Sequence, residues 1–493
     1  MWPMSSHPAP FTLVAIADRH LSEGRTADAI ESYNRALAIQ PALPAAWFNL
    51  AYAQRSERHF EAALDSYAKA IIYGVPRPEE ACLNRAVILF DHLRQTDLAI
   101  AELEAAVRHN PNFIEAQLNL GNIHEEMGAP DRAKASYQRV LQIDPANGRA
   151  LARLGVIATV TGKPSAALAE LTSALTRAAT PGDRAEILFA LGSAFDASGR
   201  FDEAFHAIEA ANWIAGALAP VRYDRRQQEN LVDSLIAAYP IANPAPRREQ
   251  EPGIDHASPV FICGMFRSGS TLAEEILGRH TAISAGGELE LVPSFVRELR
   301  PYPAAATGLA PDQLAALRAR YLAELPGSGL VTDKRCDNFL HIGLIKAFFP
   351  EAKIIHTRRH PLDNLLSIYF LHFGPSVTYG HDLGDAAHFY LQYHRLMAHW
   401  AQLFPGEIFT LDYDRIVTGA RDEVGRALTF LDLPWQETCL LSGASSEAVR
   451  TASSWQVRRQ LHARSSGRWR HYERQLADAR HMLTAAGLAD VTL

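Results

Sequence analysis

The sequence has few cysteines and no long run of uncharged apolar residues. Its 493 residues include only four cysteines, which are Cys82, Cys263, Cys336 and Cys439. No two of them form a CxxC pair, which excludes a cysteine-rich zinc module and a disulfide framework and is typical of a reducing compartment. Because no apolar run approaches the roughly 18 residues that a membrane helix needs, we expect no transmembrane segment.

A strong excess of charge of one sign is also absent. The chain has 48 Lys and Arg against 55 Asp and Glu, a net charge of −7, so we expect no nucleic-acid partner. The first 20 residues lack the basic region of a secretory signal, and Asp18 interrupts their apolar stretch, which predicts a cytoplasmic protein. At 48% hydrophobic and 21% charged residues, the composition is that of a globular chain long enough for several domains.

Small and large side chains recur through the first half of the chain. Alanines stand 34 to 37 residues apart, at Ala29, Ala63, Ala99, Ala133, Ala167 and Ala204. Four residues after each stands a larger apolar side chain: Tyr33, Tyr67, Leu103, Tyr137, Leu171 and Ile208. The two positions share one helix face, because a helix turns once per 3.6 residues. Residues 10–215 therefore resemble the tetratricopeptide repeat family, which implies an α-solenoid of about six helix pairs.

The repeats leave two interpretations open. Solenoids of this kind usually bind peptides or proteins, so the array is predicted either to hold a protein acceptor or to brace or dimerise the next domain. Residues 216–257 predict a further helix and a linker rich in proline and charge. The composition changes sharply at Pro259, and we expect a second domain over 258–485.

Residues 259–280 have the pattern of a strand, a loop of small residues and a helix. Val260–Cys263 is apolar, and a helical pattern begins at Leu272. A loop in this setting points backbone N–H groups and a helix N terminus at one anion. The predicted anion-binding residues are Arg267, Ser268, Gly269, Ser270 and Thr271.

This loop departs from the loop of ATP-hydrolysing proteins. In GxxxxGK[ST] a Lys precedes the Ser or Thr, but here Gly269 is followed by Ser270. A sulfuryl group carries less negative charge than a γ-phosphate, so its transfer needs no metal ion where cationic donors are well placed. The loop therefore favours sulfuryl transfer from a nucleotide, and a kinase-like NTPase is the rival class.

The loop resembles the 5′-phosphosulfate loop of sulfotransferases that use 3′-phosphoadenosine-5′-phosphosulfate (PAPS), with Phe266 in place of the usual proline. The resemblance covers residues 258–485. It implies an α/β P-loop-like domain with a mostly parallel sheet, PAPS as co-substrate and no metal. Protein tyrosine is the favoured acceptor, a glycan or small molecule stays open, and a non-catalytic repeat scaffold with a nucleotide-binding domain is the remaining alternative.

A second strand–turn–helix pattern runs through residues 353–373. The resemblance implies that an Arg at the strand end and a Ser eight residues later bind the 3′-phosphate, which corresponds to Arg359 and Ser367, with Arg358 as the fallback. Further nucleotide-binding residues are expected in a late segment rich in hydroxyls and arginines, at Thr451, Ser453 and Arg458.

The resemblance also implies the catalytic residues. Lys334, after a predicted strand, would stabilise the leaving phosphate, and Arg267 would hold the sulfonate. The general base is predicted to be Glu288, which lies 21 residues after Arg267, the offset found in tyrosylprotein sulfotransferases. Glu290 is the runner-up, and His280 is expected to end the first helix of the domain.

Overall fold

The computed structural model describes residues 9–241, 258–327, 329–374, 377–441 and 465–488. The chain divides into two compact units, with the border between Ile157 and Ala158. The sequence boundaries 10–215, 216–257 and 258–485 mark changes of pattern and composition instead, and they stay predictions. No helix in these described ranges is long and apolar enough to cross a membrane.

The first unit is built from helices that pack as successive pairs. They are α1 (Pro10–Ser22), α2 (Thr26–Ile39), α3 (Pro44–Ser56), α4 (Phe60–Ile72), α5 (Pro78–Val87), α6 (Thr96–His109), α7 (Ile114–Glu126), α8 (Pro130–Ile143) and α9 (Gly148–Val160), whose last residues cross the border. A π-helical turn, Ile88–His92, follows α5. The alanines and larger apolar residues of the first four repeat units are buried in these helices, and those of the last two units are buried in helices of the second unit, which confirms the repeat fold.

Gly121 and Tyr137 show why the repeat alternates small and large residues. A Cβ on Gly121 in α7 would lie 2.4 Å from the Tyr137 ring in α8. The ring cannot easily move away, because its hydroxyl oxygen lies within hydrogen-bond distance of both Glu125, at 2.7 Å, and Asn122, at 2.8 Å. Close approach of the two helices therefore depends on the missing side chain.

The second unit begins with four helices and continues as an α/β domain. The four helices are α10 (Pro164–Leu175), α11 (Pro181–Ala197), α12 (Phe201–Leu218) and α13 (Arg225–Ala238). The domain contains β1 (Ser258–Gly264), α14 (Ser270–Leu277), β2 (Ile283–Ser284), α15 (Leu291–Glu298), α16 (Ala304–Thr307), α17 (Pro311–Glu324), β3 (Leu330–Lys334), α18 (Ile342–Phe348), β4 (Lys353–Arg358), α19 (Pro361–Tyr369), α20 (Leu383–Leu403), β5 (Ile408–Asp412), α21 (Tyr413–Phe430) and α22 (Ala477–Ala485). Short 3₁₀ turns cover Cys336–His341, Thr378–His381, Glu437–Leu440 and Arg468–Tyr472.

The five strands form one parallel sheet in the order β2–β3–β1–β4–β5. Phe261 in β1 lies opposite Asp333 on one side and Ile354 on the other. Ligands of such sheets bind at the carboxyl ends of the strands, where the order of connection reverses. In this chain the connections run to one side of β1, through β2 and β3, and then to its other side, through β4 and β5. The loop after β1 therefore lies at the point where the order reverses.

Both faces of the sheet are covered. On one face, Val260 and Ile262 pack with Ile276 of α14 and Leu428 of α21 in a buried cluster. On the other, the ring of Phe261 packs in tilted arrangements against the rings of Tyr321 and Phe349. Burial on both faces explains why β1 is continuously apolar rather than alternating. The predicted fold, an α/β domain after a repeat solenoid, is confirmed.

Candidate active site

The loop after β1 has an unusual backbone that its residues explain. Gly264 has φ 153°, and a Cβ there would lie 2.4 Å from the carbonyl oxygen of Thr357. Arg267 has φ 69°, a left-handed conformation that is uncommon for a residue with a side chain and marks local strain. Gly269, at φ 103°, lies directly before α14, with the Tyr413 ring against it. The loop therefore turns tightly into the start of α14.

Two of the predicted anion-binding hydroxyl groups contact side chains from other segments of the domain. The Ser268 hydroxyl lies 2.7 Å from that of Thr357 in β4, and the Ser270 hydroxyl lies 3.2 Å from the thiol of Cys336. These contacts join the loop to the segments after β3 and within β4. The first N–H groups of any α-helix are available to an anion, and α14 starts directly after Gly269 of this loop.

The two predicted anion-binding units meet through one hydrogen bond. Nε of Arg267 donates to Oγ of Ser367 in α19 at 3.0 Å, although 100 residues separate them in sequence. Burial and the nearby charge of Arg359 lower the pKa of Arg267 to about 10. Two guanidinium groups thus share one buried region, and a bound anion would offset their repulsion.

Arg359 is 8% exposed, and its guanidinium lies 4.9 Å from the centre of the Tyr413 ring. Its Nη2 donates to the carbonyl oxygen of Ser465, whereas its Nε has no hydrogen-bond partner among the described residues. The fallback, Arg358, has a 43% exposed side chain and pairs with Asp412 at 3.3 Å. Arg359 is therefore the arginine of this pair that holds a buried donor without a hydrogen-bond partner among the described residues.

Asp363 in α19 connects the region around Arg267 and Arg359 to a segment near the C terminus. The backbone N–H groups of Gly467 and Trp469 donate to its two carboxylate oxygens at 2.6 and 2.8 Å. The Trp469 ring stacks on His360 with a centroid distance of 5.0 Å. We call residues 465–472 the C-terminal turn. Its contacts with Asp363 and Arg359 make it part of the wall of the site.

Lys334 and Glu288 form an ion pair at the carboxyl end of β3. Nζ of Lys334 lies 2.5 Å from Oε1 of Glu288. The Lys334 side chain is 2% exposed and that of Glu288 is 44% exposed, so the cation is fixed while the carboxylate is accessible. Burial opposes the charge of Lys334, but Glu288 and Glu274 outweigh it and raise the pKa of its ammonium group.

Cys336 links this ion pair to the loop. Burial raises the pKa of its thiol to about 11, and the charge of Lys334 acts in the opposite direction. The same thiol contacts the Ser270 hydroxyl at the start of α14. The Cys336 thiol therefore contacts the start of α14 and lies close enough to Lys334 to feel the charge of the ammonium group.

Glu274 positions the segment that carries Glu288. Its Oε1 accepts hydrogen bonds from the Thr332 hydroxyl at 2.6 Å and from the N–H of Gly287 at 2.8 Å. A Cβ on Gly286 would lie 2.0 Å from the carbonyl oxygen of Thr332, so the segment passes close against β3. Sequence reasoning missed Glu274, because it looks like any acidic residue on an amphipathic helix.

The runner-up Glu290 and the expected helix-end residue His280 make other contacts. Glu290 pairs with Arg335 and, at 3.4 Å, with Arg297. His280 lies just after α14, where its Nε2 is 3.0 Å from the carbonyl oxygen of Pro434 and its Nδ1 accepts from the N–H of Ala282. The geometry favours Glu288 as an accessible carboxylate beside a buried cation.

The remaining residues are predicted ones that the structure does not describe and observed ones that the sequence did not indicate. Thr451, Ser453 and Arg458 lie outside the described residues. The sequence indicated no site role for Asp363 or Tyr413, since neither belongs to a recognisable motif and each acts only through tertiary contacts. Within the described ranges, no group of three or more His, Cys, Asp or Glu side chains is arranged to hold a metal ion.

Comparisons with known proteins agree with this organisation. Residues 259–437 match the sulfotransferase family. Residues 17–55, 93–154 and 126–181 match tetratricopeptide repeats.

Two relatives and one solved structure illustrate the likeness. An uncharacterized protein of Aquifex aeolicus (strain VF5) is 31% identical over 59% of this chain, which spans only 40% of that relative. A candidate protein-tyrosine sulfotransferase of Caenorhabditis briggsae is 23% identical over 37% of this chain and 68% of its own length. The sulfotransferase domain of the Synechococcus PCC 7002 olefin synthase is 20% identical, with a TM-score of 0.34 over 45% of this chain and 91% of that domain.

Proposed function

Because the chain combines tetratricopeptide repeats with a domain of the sulfotransferase family, we propose that it transfers a sulfuryl group from PAPS to an acceptor hydroxyl. The observation that carries the proposal is the hydrogen bond between Arg267 and Ser367. It joins the loop expected to hold the phosphosulfate to the helix expected to hold the 3′-phosphate. A single nucleotide with charge at both ends suits such a site.

The binding roles follow from charge and burial. Arg267 and the N–H groups at the start of α14 would hold the phosphosulfate, with Ser268, Ser270 and Thr271 shaping the loop. Arg359 and Ser367 would hold the 3′-phosphate. Arg359 supports this assignment with a buried Nε that has no partner among the described residues, because an arginine fork binds phosphate through two parallel N–H donors.

The chemistry would use the ion pair beside the loop. The acceptor oxygen forms a bond to sulfur as the bond between sulfur and the 5′-phosphate oxygen breaks. Glu288 takes the hydroxyl proton, and adenosine 3′,5′-bisphosphate (PAP) leaves with the bonding electrons. Lys334 stabilises the charge that develops on the leaving oxygen.

The contact between Lys334 and Glu288 suggests how the two roles are coupled. An ammonium group has three N–H donors, so Lys334 can keep a contact with Glu288 while it donates to the leaving oxygen. Its buried position reduces the reorganisation needed at that step. The exposed carboxylate of Glu288 remains open to an acceptor hydroxyl.

We propose a protein or peptide tyrosine as the acceptor, with the repeats contributing to its capture. Two observations support this acceptor. Glu288 lies 21 residues after Arg267, as the resemblance to tyrosylprotein sulfotransferases implies for the base, and the chain is similar to the candidate protein-tyrosine sulfotransferase of C. briggsae. A glycan or a small molecule is the alternative. Incubation of the protein and a cell lysate with ³⁵S-labelled PAPS distinguishes these classes, because the label will be found in tyrosine of a protein, in a glycan or in a small molecule.

Nucleotide binding provides the direct test. PAP should raise the melting temperature and bind in calorimetry without Mg²⁺, since a ligand of the folded site stabilises it by mass action. Mg-ATP is the matched control, and it should bind much more weakly. Stabilisation by Mg-ATP but not by PAP would instead support an NTPase, and PAP binding without any transfer to lysate components would support a non-catalytic scaffold.

A further inference from the structure

The C-terminal turn is attached on two sides. On one side it contacts the proposed nucleotide site, through Asp363 and Arg359. On the other side it contacts α11 and α12, the helix pair that carries the sixth unit of the predicted repeat array. All of these elements belong to the second compact unit. The turn is therefore a physical link between a repeat helix pair and the site.

Asp196, near the end of α11, makes the central contact of this link. Its Oδ1 lies 3.1 Å from Nη2 of Arg468 and accepts a hydrogen bond from the Tyr472 hydroxyl at 2.5 Å. Tyr472 is fully buried, and the Arg468 guanidinium lies 4.4 Å from the ring of Phe370, directly after α19. One carboxylate thus holds both ends of the 3₁₀ turn Arg468–Tyr472.

The negative charge of Asp196 explains how its contact with Arg468 affects the nucleotide site. Burial and the charge of Arg359 lower the pKa of Arg267, and the charge of Arg468 lowers it further. Arg468 is therefore the third cation in this region. Without a compensating carboxylate, Arg468 would be repelled from the other two guanidinium groups. Asp196 offsets that repulsion and keeps the turn seated against Asp363 and Arg359.

We propose that Asp196 is a positioning residue for the nucleotide site, through which the helix pair α11–α12 sets the affinity for the bisphosphorylated nucleotide. This inference rests on the proposed function. Asp196 does not contact the reacting atoms. It holds the C-terminal turn, which in turn holds Arg359.

The test is PAP binding by the full chain with Asp196→Asn, a neutral side chain of the same shape. A partly buried, charge-assisted hydrogen bond is lost, so the Kd for PAP should rise about tenfold. At saturating PAPS, kcat should stay within about twofold while KM for PAPS rises in parallel with Kd. Asp196→Glu, which keeps the charge, should restore most of the affinity.

Asp202→Asn is the matched control. Asp202 in α12 also bonds to the chain after the turn, at Arg474 and Gln475, but its pair with Arg474 is exposed and such pairs are worth little. Its Kd should stay within about twofold of the wild type. A double variant with Arg468→Gln should bind PAP no more weakly than Arg468→Gln alone, because both changes break one link.

The outcomes separate this inference from the proposed function. Absence of PAP binding by the wild type overturns both. Binding by the wild type, with an unchanged Kd in Asp196→Asn or an equal loss in Asp202→Asn, overturns only the role of Asp196. If Asp196→Asn does not fold, Tyr472→Phe removes one hydrogen bond to Asp196 and should raise Kd about threefold; an unchanged Kd then overturns the proposal.

Discussion

Nζ of Lys334 lies 2.5 Å from Oε1 of Glu288, which joins a side chain buried at the end of a central strand to one that solvent reaches. Glu274 supports both partners: it raises the pKa of Lys334 and accepts a hydrogen bond from the N–H of Gly287, next to Glu288. One buried carboxylate thus fixes the backbone beside the proposed base and favours the charged form of the proposed leaving-group cation. Neither residue is positioned by its own sequence neighbours alone.

Glu288→Gln should lower kcat by about 10²- to 10⁴-fold, the usual contribution of a general base. The Kd for PAP should stay within about twofold, since the carboxylate faces the acceptor. Sulfate transfer from labelled PAPS and calorimetry with PAP measure the two effects. Glu290→Gln is the control and should retain activity; equal loss of turnover in both variants would contradict the choice of base.

Arg359→Ala should raise the Kd for PAP by about tenfold to a hundredfold, because it removes a charge-assisted contact from a buried site. Arg358→Ala removes the neighbouring guanidinium, which is exposed and paired with Asp412, and should change the Kd less than about threefold. Calorimetry with PAP gives both values. A larger effect from Arg358 than from Arg359 would reverse the assignment.

Gly121→Ala should destabilise the repeats by about 1–3 kcal/mol, because the added Cβ would overlap the buried ring of Tyr137 and overpacking of this kind has that cost. Urea unfolding followed by circular dichroism measures the change. Gly308→Ala adds the same atom where nothing lies within 4 Å and should be nearly neutral. No destabilisation by Gly121→Ala would show that the two helices separate easily.

Asp333→Asn should change how stability depends on pH. Burial raises the pKa of this carboxyl to about 7, against the hydrogen bond from Tyr321. Between about pH 4 and pH 7 the folded chain therefore holds a proton that the unfolded chain has released, and stability falls as the pH rises. The variant lacks this component.

The measurement for Asp333 is the free energy of unfolding at pH 5 and pH 8. The wild type should lose up to about 3 kcal/mol more than Asp333→Asn over this interval. Asp312→Asn, an exposed change at the start of α17, should follow the wild type. A parallel fall in wild type and Asp333→Asn would mean that Asp333 is ionised throughout.

Local patterns in the sequence were sufficient to predict the paired helices, the first strand of the second domain and the anion-binding loop. Repeated alanines four residues before larger apolar side chains predicted paired helices, because helical periodicity brings these positions to one face. The apolar stretch Val260–Cys263, followed by glycines and serines, predicted a buried strand and an anion-binding loop, because backbone conformation there depends on nearby residues. The same loop indicated Arg267, whereas Glu288, Lys334 and Arg359 were implied by the resemblance to PAPS-dependent sulfotransferases.

Tertiary structure alone decided which of these residues meet and what holds them. The contact between Arg267 and Ser367 spans 100 residues, and parallel strands bring such distant segments to one edge of the sheet. The supporting carboxylates Glu274, Asp363 and Asp196 have no motif, since their effect comes from burial and from partners far away in the chain. Spacing along a chain records local geometry, whereas charge compensation in a buried site depends on every segment that folds against it.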